Sequence, residues 1–245
     1  MARWYYPAGF FFVETSGKLI LIGTPIGNRA DFSARGAETL QSVDVLLCED
    51  TRMSRRLTDP LHIEKPMIPF HEHNEKAQAP VWADAIASGK VVALLSDAGM
   101  PGISDPGFRL VRECRRRDLP VEVVPGPTAC LSALAISGLP TDSFYFRGFL
   151  PPKKSARQKF FQEFRSFGST LCLYESNHRI EKFIREACAE LGPERWISVA
   201  KEITKIYETV LTLRLGDMEK RLETSGALFR KGEFVVMIAP EGYEL

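Results

Sequence analysis

The sequence predicts an α/β protein with two lobes, and three observations support this. Short apolar runs alternate with helical patterns in the first half, as in βαβ units around a mainly parallel sheet. Residues 207–215 alternate apolar and polar side chains, as a half-buried antiparallel strand does. A chain of 245 residues has room for two small domains. We therefore predict a leader at 1–17, an N-terminal lobe at 18–138 and a C-terminal lobe with a mixed or antiparallel sheet at 139–245.

The individual elements follow from periodicity. Continuous apolar runs indicate strands buried on both faces, and apolar residues three or four apart indicate helices. The strands predicted for the N-terminal lobe are 18–22, 43–48, one beginning at 67, 91–95 and 121–124; its helices are 33–42, one opening near 75, one beginning near 108 and 129–137. The strands predicted for the C-terminal lobe are 144–150, 170–174, 197–200, 209–215 and 233–238, with one helix after 153–159 and another at 180–191.

Charge and cysteine usage narrow the class of protein. The net charge is +1, so an anionic partner would have to meet a local basic patch. The five cysteines are odd in number and lack CxxC spacing, which favours a reducing cytoplasm over a disulfide framework or a zinc site. No apolar run approaches the ~18 residues of a membrane span, and the aromatic N-terminal stretch makes a poor signal peptide. We expect a cytoplasmic protein with no membrane or metal partner.

Four loops follow strands of the N-terminal lobe and carry residues that a simple connection does not need. They are 23–28, 49–52, 96–107 and 125–128. Because the strands are predicted to be parallel, all four loops project to the same edge of the sheet. A ligand is therefore predicted at the carboxyl ends of the strands, in the cleft between the lobes.

The longest of these loops, 96–107, is the centre of the predicted site. It holds three glycines, two prolines and two aspartates between a buried strand and a helix, a composition that lets a ligand approach the backbone. Taken alone, it is equally compatible with an ordinary strand-to-helix turn. Asp105 is expected to cap the following helix, with Pro106 at its first position.

The ligand is predicted to lack phosphates. The first loop has Pro25 between Gly23 and Gly27, and proline lacks the N–H that a pyrophosphate would use. Neither a G-x-G-x-x-G nor a G-x-x-x-x-G-K-[ST] pattern follows a strand. A small cofactor that contains adenosine but no phosphate fits better.

A set of motifs in a fixed order identifies a resemblance that covers nearly the whole chain. The motifs are GTPIGN at 23–28, EDTR at 49–52, HEHNE at 71–75, SDAG at 96–99, DPG at 105–107, PGP at 125–127, GFLP at 148–151, YES at 174–176, EITK at 202–205 with Glu208, and KGEF at 231–234. With these motifs, the sequence resembles the tetrapyrrole-methylase-like (class III) S-adenosylmethionine methyltransferases. Within them it is similar to the ribosomal RNA small subunit methyltransferase I family, which 2′-O-methylates a cytidine ribose in the decoding region of 16S rRNA. Arg29, Lys201 and an end soon after Pro240 depart from the family pattern.

The resemblance implies a cofactor, a partner and site residues. The cofactor would be S-adenosyl-L-methionine and the partner 16S rRNA or the small ribosomal subunit, bound by a homodimer. The implied cofactor-binding residues are Pro25, Ile26, Asp97, Ala98, Gly99, Ile103, Ser104, Thr128, Ala129, Tyr174 and Glu175. Lys205 and Glu202 are expected near the reacting hydroxyl, and Arg52 and Asn74 at the RNA phosphate and ribose. Two local basic clusters are expected to contact RNA: Arg52, Arg55 and Arg56, and Lys153, Lys154 and Arg157.

Three alternatives stay open at this point. A small-molecule methylase acting on a tetrapyrrole would share the fold, but the basic clusters and the motifs at 49–52 and 174–176 favour RNA. An NAD-dependent oxidoreductase is disfavoured by the missing fingerprint. A non-catalytic ribosome-binding module would not need cofactor loops, so cofactor binding measured by calorimetry would distinguish it.

Overall fold

The computed structural model describes residues 17–225 and 231–245. Contacts divide the described chain into two units: residues 17–25 with Ala30–Gly126, and Ile26–Arg29 with Pro127–Leu245. The first unit holds a parallel sheet and the second a mixed sheet, which confirms the predicted α/β class. Apart from Gly17, the predicted leader lies outside the described residues.

The first unit is a five-stranded sheet with helices on both faces. Its strands are β1 (Lys18–Ile22), β2 (Val45–Cys48), β3 (Met67–Pro69), β4 (Val91–Leu95) and β5 (Val121–Val124), in the order β3-β2-β4-β1-β5. Its helices are α1 (Ala34–Ser42), α2 (Thr51–Thr58), α3 (Glu75–Ala87) and α4 (Phe108–Arg116). All strand pairs are parallel, so the loops after β1, β2, β4 and β5 reach one edge, as predicted.

Alternation of side chains explains why the central strand β4 is apolar throughout. Val92 and Leu94 pack into one apolar cluster with α3 and α4, whereas Ala93 and Leu95 pack into a second cluster with α1. All four side chains are buried. A strand covered by helices on both faces needs such a continuous apolar run.

Two details of the first unit differ from the sequence-based expectation. Helix α2 is polar at nearly every position, so apolar periodicity does not reveal it; Asp50 starts it by accepting a hydrogen bond from the backbone of Arg52. The expected capping role of Asp105 is wrong. Helix α4 begins at Phe108, after Gly107, and the N–H of Gly107 donates to the carboxylate of Glu75 instead.

The second unit is a mixed sheet with helices. Its elements are α5 (Ala129–Ile136), β6 (Phe144–Phe149), α6 (Lys154–Phe164), β7 (Thr170–Ser176), α7 (Ile180–Leu191), β8 (Trp196–Lys201), β9 (Thr209–Arg214), α8 (Leu215–Ser225) and β10 (Glu233–Ile238). The sheet order is β6-β7-β10-β8-β9, with β6 and β7 parallel and the other pairs antiparallel. Helix α5 packs on β7 and β10 and belongs by its contacts to this unit, although the predicted boundary at 138 would place it in the first.

Two further features bear on the class of protein. The five cysteines are all buried and free. Across residues 17–225 and 231–245, no helix combines the length and apolarity that crossing a membrane requires.

Candidate active site

Backbone contacts join the loops after β1, β4 and β5 at the carboxyl edge of the first sheet. Thr24 and Gly99 exchange backbone hydrogen bonds of 2.9 and 3.2 Å. Gly23 and Gly126 meet so closely that a Cβ atom on Gly23 would lie 2.6 Å from the Cα atom of Gly126. Glycine is required at both positions because any side chain would collide with the opposite backbone. The three loops therefore present backbone, with little side-chain bulk, at this edge.

Carboxyl groups gather at the same edge. The N–H of Asp50 donates to Asp97 Oδ1 at 3.1 Å, and the N–H of Asp97 donates to Glu49 Oε2 at 3.4 Å. Burial raises the pKa of Glu49 and of Asp97. Burial, followed by the charge of Glu49, raises the pKa of Asp105 to about 7. We call these three carboxyl groups, Glu49, Asp97 and Asp105, the acidic edge. It offers acceptors to hydroxyl, amino or cationic groups and repels phosphates.

Asp105 is a member of the acidic edge that sequence reasoning missed, because Asp-Pro before an apolar pattern is also typical of a helix start. The far end of its loop is held by Glu75, whose buried Oε1 accepts from the N–H groups of Gly107 at 2.9 Å and Arg109 at 2.8 Å. Ser104 in the same loop has φ +63°, a left-handed conformation that side chains disfavour. The loop is thus held in a strained shape, as is common at ligand sites.

Helix α2 brings together the three arginines of the first predicted RNA cluster. Arg52, Arg55 and Arg56 are exposed and spaced three and four residues apart, so they share one helix face. Arg52 Nη2 lies 2.6 Å from Asp50 Oδ2, and the hydrogen bond from Arg52 lowers the pKa of Asp50 to about 2. The pair orients Arg52, while 87% of its side chain stays exposed.

Two predicted site residues are engaged elsewhere. Ile26 is buried in an apolar cluster of the second unit with Cys130. The amide of Asn74 closes a turn: its Oδ1 accepts from the N–H of His71 and its Nδ2 donates to the carbonyl of Pro69, both at 2.9 Å. Both ends of this amide are therefore used in shaping the 71–74 turn. Six further loop residues were predicted to contact the cofactor, and all of them are partly or fully exposed: Pro25, Ala98, Ile103, Ser104, Thr128 and Ala129.

Strand β7 sends Tyr174 and Glu175 to opposite faces of the second sheet, because successive side chains of a strand alternate. Tyr174 packs against the cluster that includes Cys172, with its ring 5.0 Å from that of Phe146. Glu175 is buried, and its Oε2 lies 3.2 Å from Arg179 Nη2. The two side chains cannot both line one cofactor, so we retain Tyr174 alone as a candidate contact.

The turn between β8 and β9 unites the two residues predicted near the reacting hydroxyl. Lys205 Nζ lies 2.9 Å from Glu202 Oε1 and 2.6 Å from Glu233 Oε2. Glu202 Oε1 also accepts from the N–H of Glu233 at 3.0 Å. Glu233, the third residue of the KGEF motif, was not predicted as a site residue because nothing in the sequence pairs β10 with this turn.

Residues 27 and 28 support this turn from the segment Ile26–Arg29. The N–H of Asn28 donates to Thr204 Oγ1 at 3.1 Å. A Cβ atom on Gly27 would lie 2.5 Å from Lys205 Cγ, so the glycine leaves the space that the lysine side chain occupies. Glu202 and Thr204 have φ of +53° and +66°, a strain that persists only where surrounding contacts determine the backbone.

The neighbouring carboxylates keep Lys205 charged. Burial opposes its charge, but hydrogen bonds to Glu233 and Glu202 outweigh that effect and raise the pKa of Lys205. Burial likewise works to raise the pKa of Glu202, but hydrogen bonds from the Glu233 N–H and from Lys205 lower it overall. At neutral pH the group is an ammonium held by carboxylates, which makes Lys205 a hydrogen-bond donor and not a base.

The three residues of the second predicted RNA cluster differ in their exposure to solvent. Lys153 and Lys154 are exposed at the start of α6, but Arg157 is buried one turn later. Its guanidinium pairs with Glu186 at 2.7 Å and donates to the carbonyl of Pro152 at 2.6 Å. Because its nitrogens are directed to the interior, we do not retain Arg157 as an RNA contact. Spacing alone could not separate it from its exposed neighbours.

Comparison with known proteins defines the class. Residues 18–219 match the family described as tetrapyrrole (corrin/porphyrin) methylases. The solved structure of uroporphyrin-III-C-methyltransferase from Thermus thermophilus aligns with a TM-score of 0.60 over 91% of this chain and 94% of that one, at 21% identity, and so shares the fold. The chain belongs to the tetrapyrrole methylase family.

Two relatives narrow the assignment. The protein named ribosomal RNA small subunit methyltransferase I from Xylella fastidiosa strain Temecula1 is 41% identical over 226 residues, which cover 92% of this chain and 82% of that one. The protein of the same name from Thermotoga maritima is 38% identical over 223 residues, covering 91% and 98%. Within the methylases, the chain belongs to the ribosomal RNA small subunit methyltransferase I family, which confirms the resemblance of its motifs.

Proposed function

We propose that the protein transfers a methyl group from S-adenosyl-L-methionine to the 2′-hydroxyl of a cytidine ribose in the decoding region of 16S rRNA. The observation that carries the proposal is the ammonium of Lys205, held between Glu202 and Glu233 on a strained turn. Transfer to a hydroxyl needs a group that stabilises negative charge as it develops on the oxygen, and a fixed ammonium does this. The relatives are named as methyltransferases of small subunit ribosomal RNA, which agrees with an RNA acceptor.

The acidic edge of the first unit fits this cofactor. S-adenosyl-L-methionine has ribose hydroxyls, an amino group and a sulfonium cation, and it has no phosphate. Glu49 and Asp97 offer carboxylate oxygens for the polar groups, while the loops joined at Thr24 and Gly99 offer backbone. When bound, the cofactor supplies an electrophilic methyl group. In the loop 96–107, we propose that Asp97, Ala98, Gly99 and Ile103 contact the cofactor.

In the proposed reaction, Lys205 donates a hydrogen bond to the 2′-oxygen. Its positive charge lowers the pKa of the hydroxyl and stabilises the oxygen as the O–C bond forms and the S–C bond breaks, while the hydroxyl proton passes to solvent water. Glu202 and Glu233 act as positioning residues, because they fix the ammonium and keep it protonated. Removing one such preorganised donor typically costs ~10²–10³-fold in kcat.

Exposed cations would hold the RNA. Arg52, Arg55 and Arg56 on α2, with Lys153 and Lys154 at α6, are the proposed phosphate contacts. Because neutralised phosphates release counterions, binding should weaken steeply with salt. With ribosomal RNA as substrate, we place the protein in the cytoplasm, and we propose that it acts as a homodimer.

The test measures methyl transfer to small subunits isolated from a strain that lacks the gene. Lys205→Met should lower kcat ~10²–10³-fold with the Kd for S-adenosyl-L-methionine unchanged in calorimetry. Lys220→Met is the matched control, since Lys220 is an exposed lysine paired with Asp217 three residues away on α8. Glu202→Gln and Arg52→Ala complete the series, and full activity in all three variants would refute the site.

Mapping of 2′-O-methyl groups tests the substrate. RNA from the deletion strain should lack one ribose methylation in 16S rRNA, and the gene carried on a plasmid should restore it. An unchanged methylation map would refute the proposed function even if the purified protein binds the cofactor.

A further inference from the structure

The turn that carries Lys205 also presents two large apolar side chains to solvent. Ile206 is 94% exposed and Tyr207 is 77% exposed, although they follow Lys205 directly in sequence. Single exposed apolar residues are common and need no explanation. Two adjacent ones, immediately after a proposed catalytic lysine, suggest a surface that is kept apolar for binding.

The backbone beneath these side chains is fixed on both sides. The N–H of Lys205 donates to the carbonyl of Glu202 at 2.9 Å, and the N–H of Glu208 donates to the carbonyl of Lys205 at 3.1 Å. Glu208 Oε2 in turn accepts from the N–H of Thr204 at 2.6 Å. These bonds hold the turn in its strained conformation, so Tyr207 is presented at a fixed place relative to Lys205. Because this backbone is already fixed, only the side-chain torsions of Tyr207 have to be ordered on binding, which limits the entropic cost.

We propose that Tyr207 is a stacking platform for an unpaired base of the RNA substrate, next to the ribose that is methylated. This inference rests on the proposed function and adds a specificity-determining residue to its site. Proteins recognise single-stranded RNA by stacking splayed bases on exposed aromatic rings, and a 2′-hydroxyl can reach a catalytic group only where the nucleotide is accessible. The ammonium of Lys205, two residues away, would meet the ribose of the stacked nucleotide or of its neighbour.

The test compares Tyr207→Leu with Tyr207→Phe, using small subunits from the deletion strain and a transcript of the unmethylated decoding-region RNA. Leucine keeps apolar bulk but lacks the ring face, so kcat/KM for the RNA should fall roughly 5- to 150-fold, the range expected for one lost stack. Phenylalanine keeps the ring and should stay within about twofold of the wild type. The Kd for S-adenosyl-L-methionine should not change in either variant.

Phe167→Leu is the matched control, because Phe167 is a partly exposed aromatic residue of the same unit that follows α6. It should leave kcat/KM for the RNA unchanged. The stacking role is refuted if Tyr207→Leu matches the wild type in RNA kcat/KM while the wild type methylates the RNA, an outcome that leaves the proposed function intact. It is also refuted if Tyr207→Leu and Tyr207→Phe lose activity equally, or if Tyr207→Leu dissociates a dimer at the assay concentration, since Tyr207 would then serve a subunit interface.

Discussion

Gly23 and Gly126 touch backbone to backbone at the carboxyl edge of the first sheet. A Cβ atom added to Gly126 would lie 2.7 Å from the carbonyl carbon of Gly23 and 2.8 Å from its Cα atom. The loops after β1 and β5 can therefore approach each other only without side chains. This contact lies beside the Thr24–Gly99 pairing, so it supports the edge at which we propose that the cofactor binds.

Gly126→Ala should destabilise the protein by about 1–3 kcal/mol, because the backbone of one loop must move to accept the methyl group. The Kd for S-adenosyl-L-methionine should rise as the loops separate. Gly168→Ala is the control, since its Cβ atom would meet no atom within 4 Å. Urea unfolding and calorimetry measure the two effects, and equal stability of the two variants would show that the edge tolerates the shift.

Glu75→Ala should destabilise the protein by about 2–4 kcal/mol, because it leaves the N–H groups of Gly107 and Arg109 without their acceptor at the start of α4. Glu75→Gln keeps the acceptor oxygen and should cost less than half as much. Both variants should be compared with the wild type by urea unfolding. If the alanine and glutamine variants lose the same stability, the charge of Glu75, and not its hydrogen bonds, holds the loop.

The sequence was sufficient for the sheet of the first unit, because β2 and β4 are continuous apolar runs and β1 is one after Lys18. It was not sufficient for helix α2, whose apolar residues are Met53 and Leu57 alone and which begins at the cap of Asp50. Helix α8 was missed as well, although its buried Leu215, Met218 and Leu222 are spaced as on one helix face, because the alternating pattern of β9 extends into its first residue.

For the candidate site, sequence motifs named the loops but not the direction of each side chain. Tyr174 and Glu175 are adjacent in a motif, and the predicted strand ended at 174; because β7 continues to Ser176, the two side chains face opposite sides of the sheet. Arg157 looked like Lys153 and Lys154 until its pairing with Glu186 was known. Glu233 joined the Lys205 cluster through the pairing of β8 with β10, a contact between distant parts of the chain that no local pattern encodes.

Asp105 should make the stability of the protein depend on pH between about 4 and 7. Its pKa is raised from 3.8 to about 7, so the folded state binds a proton that the unfolded state has already released in this range. Its stabilising contribution is complete below pH 4 and is lost as the pH rises through 7. Glu49 and Asp97, whose pKa values are also raised, act in the same direction.

Asp105→Asn should therefore flatten the fall in melting temperature between pH 5 and pH 8, and it should be more stable than the wild type at pH 8. Asp142→Asn, which changes an exposed carboxyl of the second unit, should leave the wild-type profile in place. Melting curves at four pH values between 5 and 8 measure the difference. A wild-type profile that rises with pH in this window would contradict the assignment.

Arg157→Met should destabilise the protein by about 3–5 kcal/mol, because it leaves the buried carboxylate of Glu186 without its partner. The same change removes the donors to the carbonyls of Pro151 and Pro152, which hold the chain just before Lys153. The double variant Arg157→Met with Glu186→Leu should recover much of the loss, since no buried charge then stays unpaired.

Lys159→Met is the control for Arg157→Met. It breaks an exposed pair with Glu163 at 3.8 Å on the same helix and should change stability by less than about 0.5 kcal/mol. If Arg157→Met cost no more than this control, the guanidinium would have to be accessible to solvent, and Arg157 would return to the set of proposed RNA contacts.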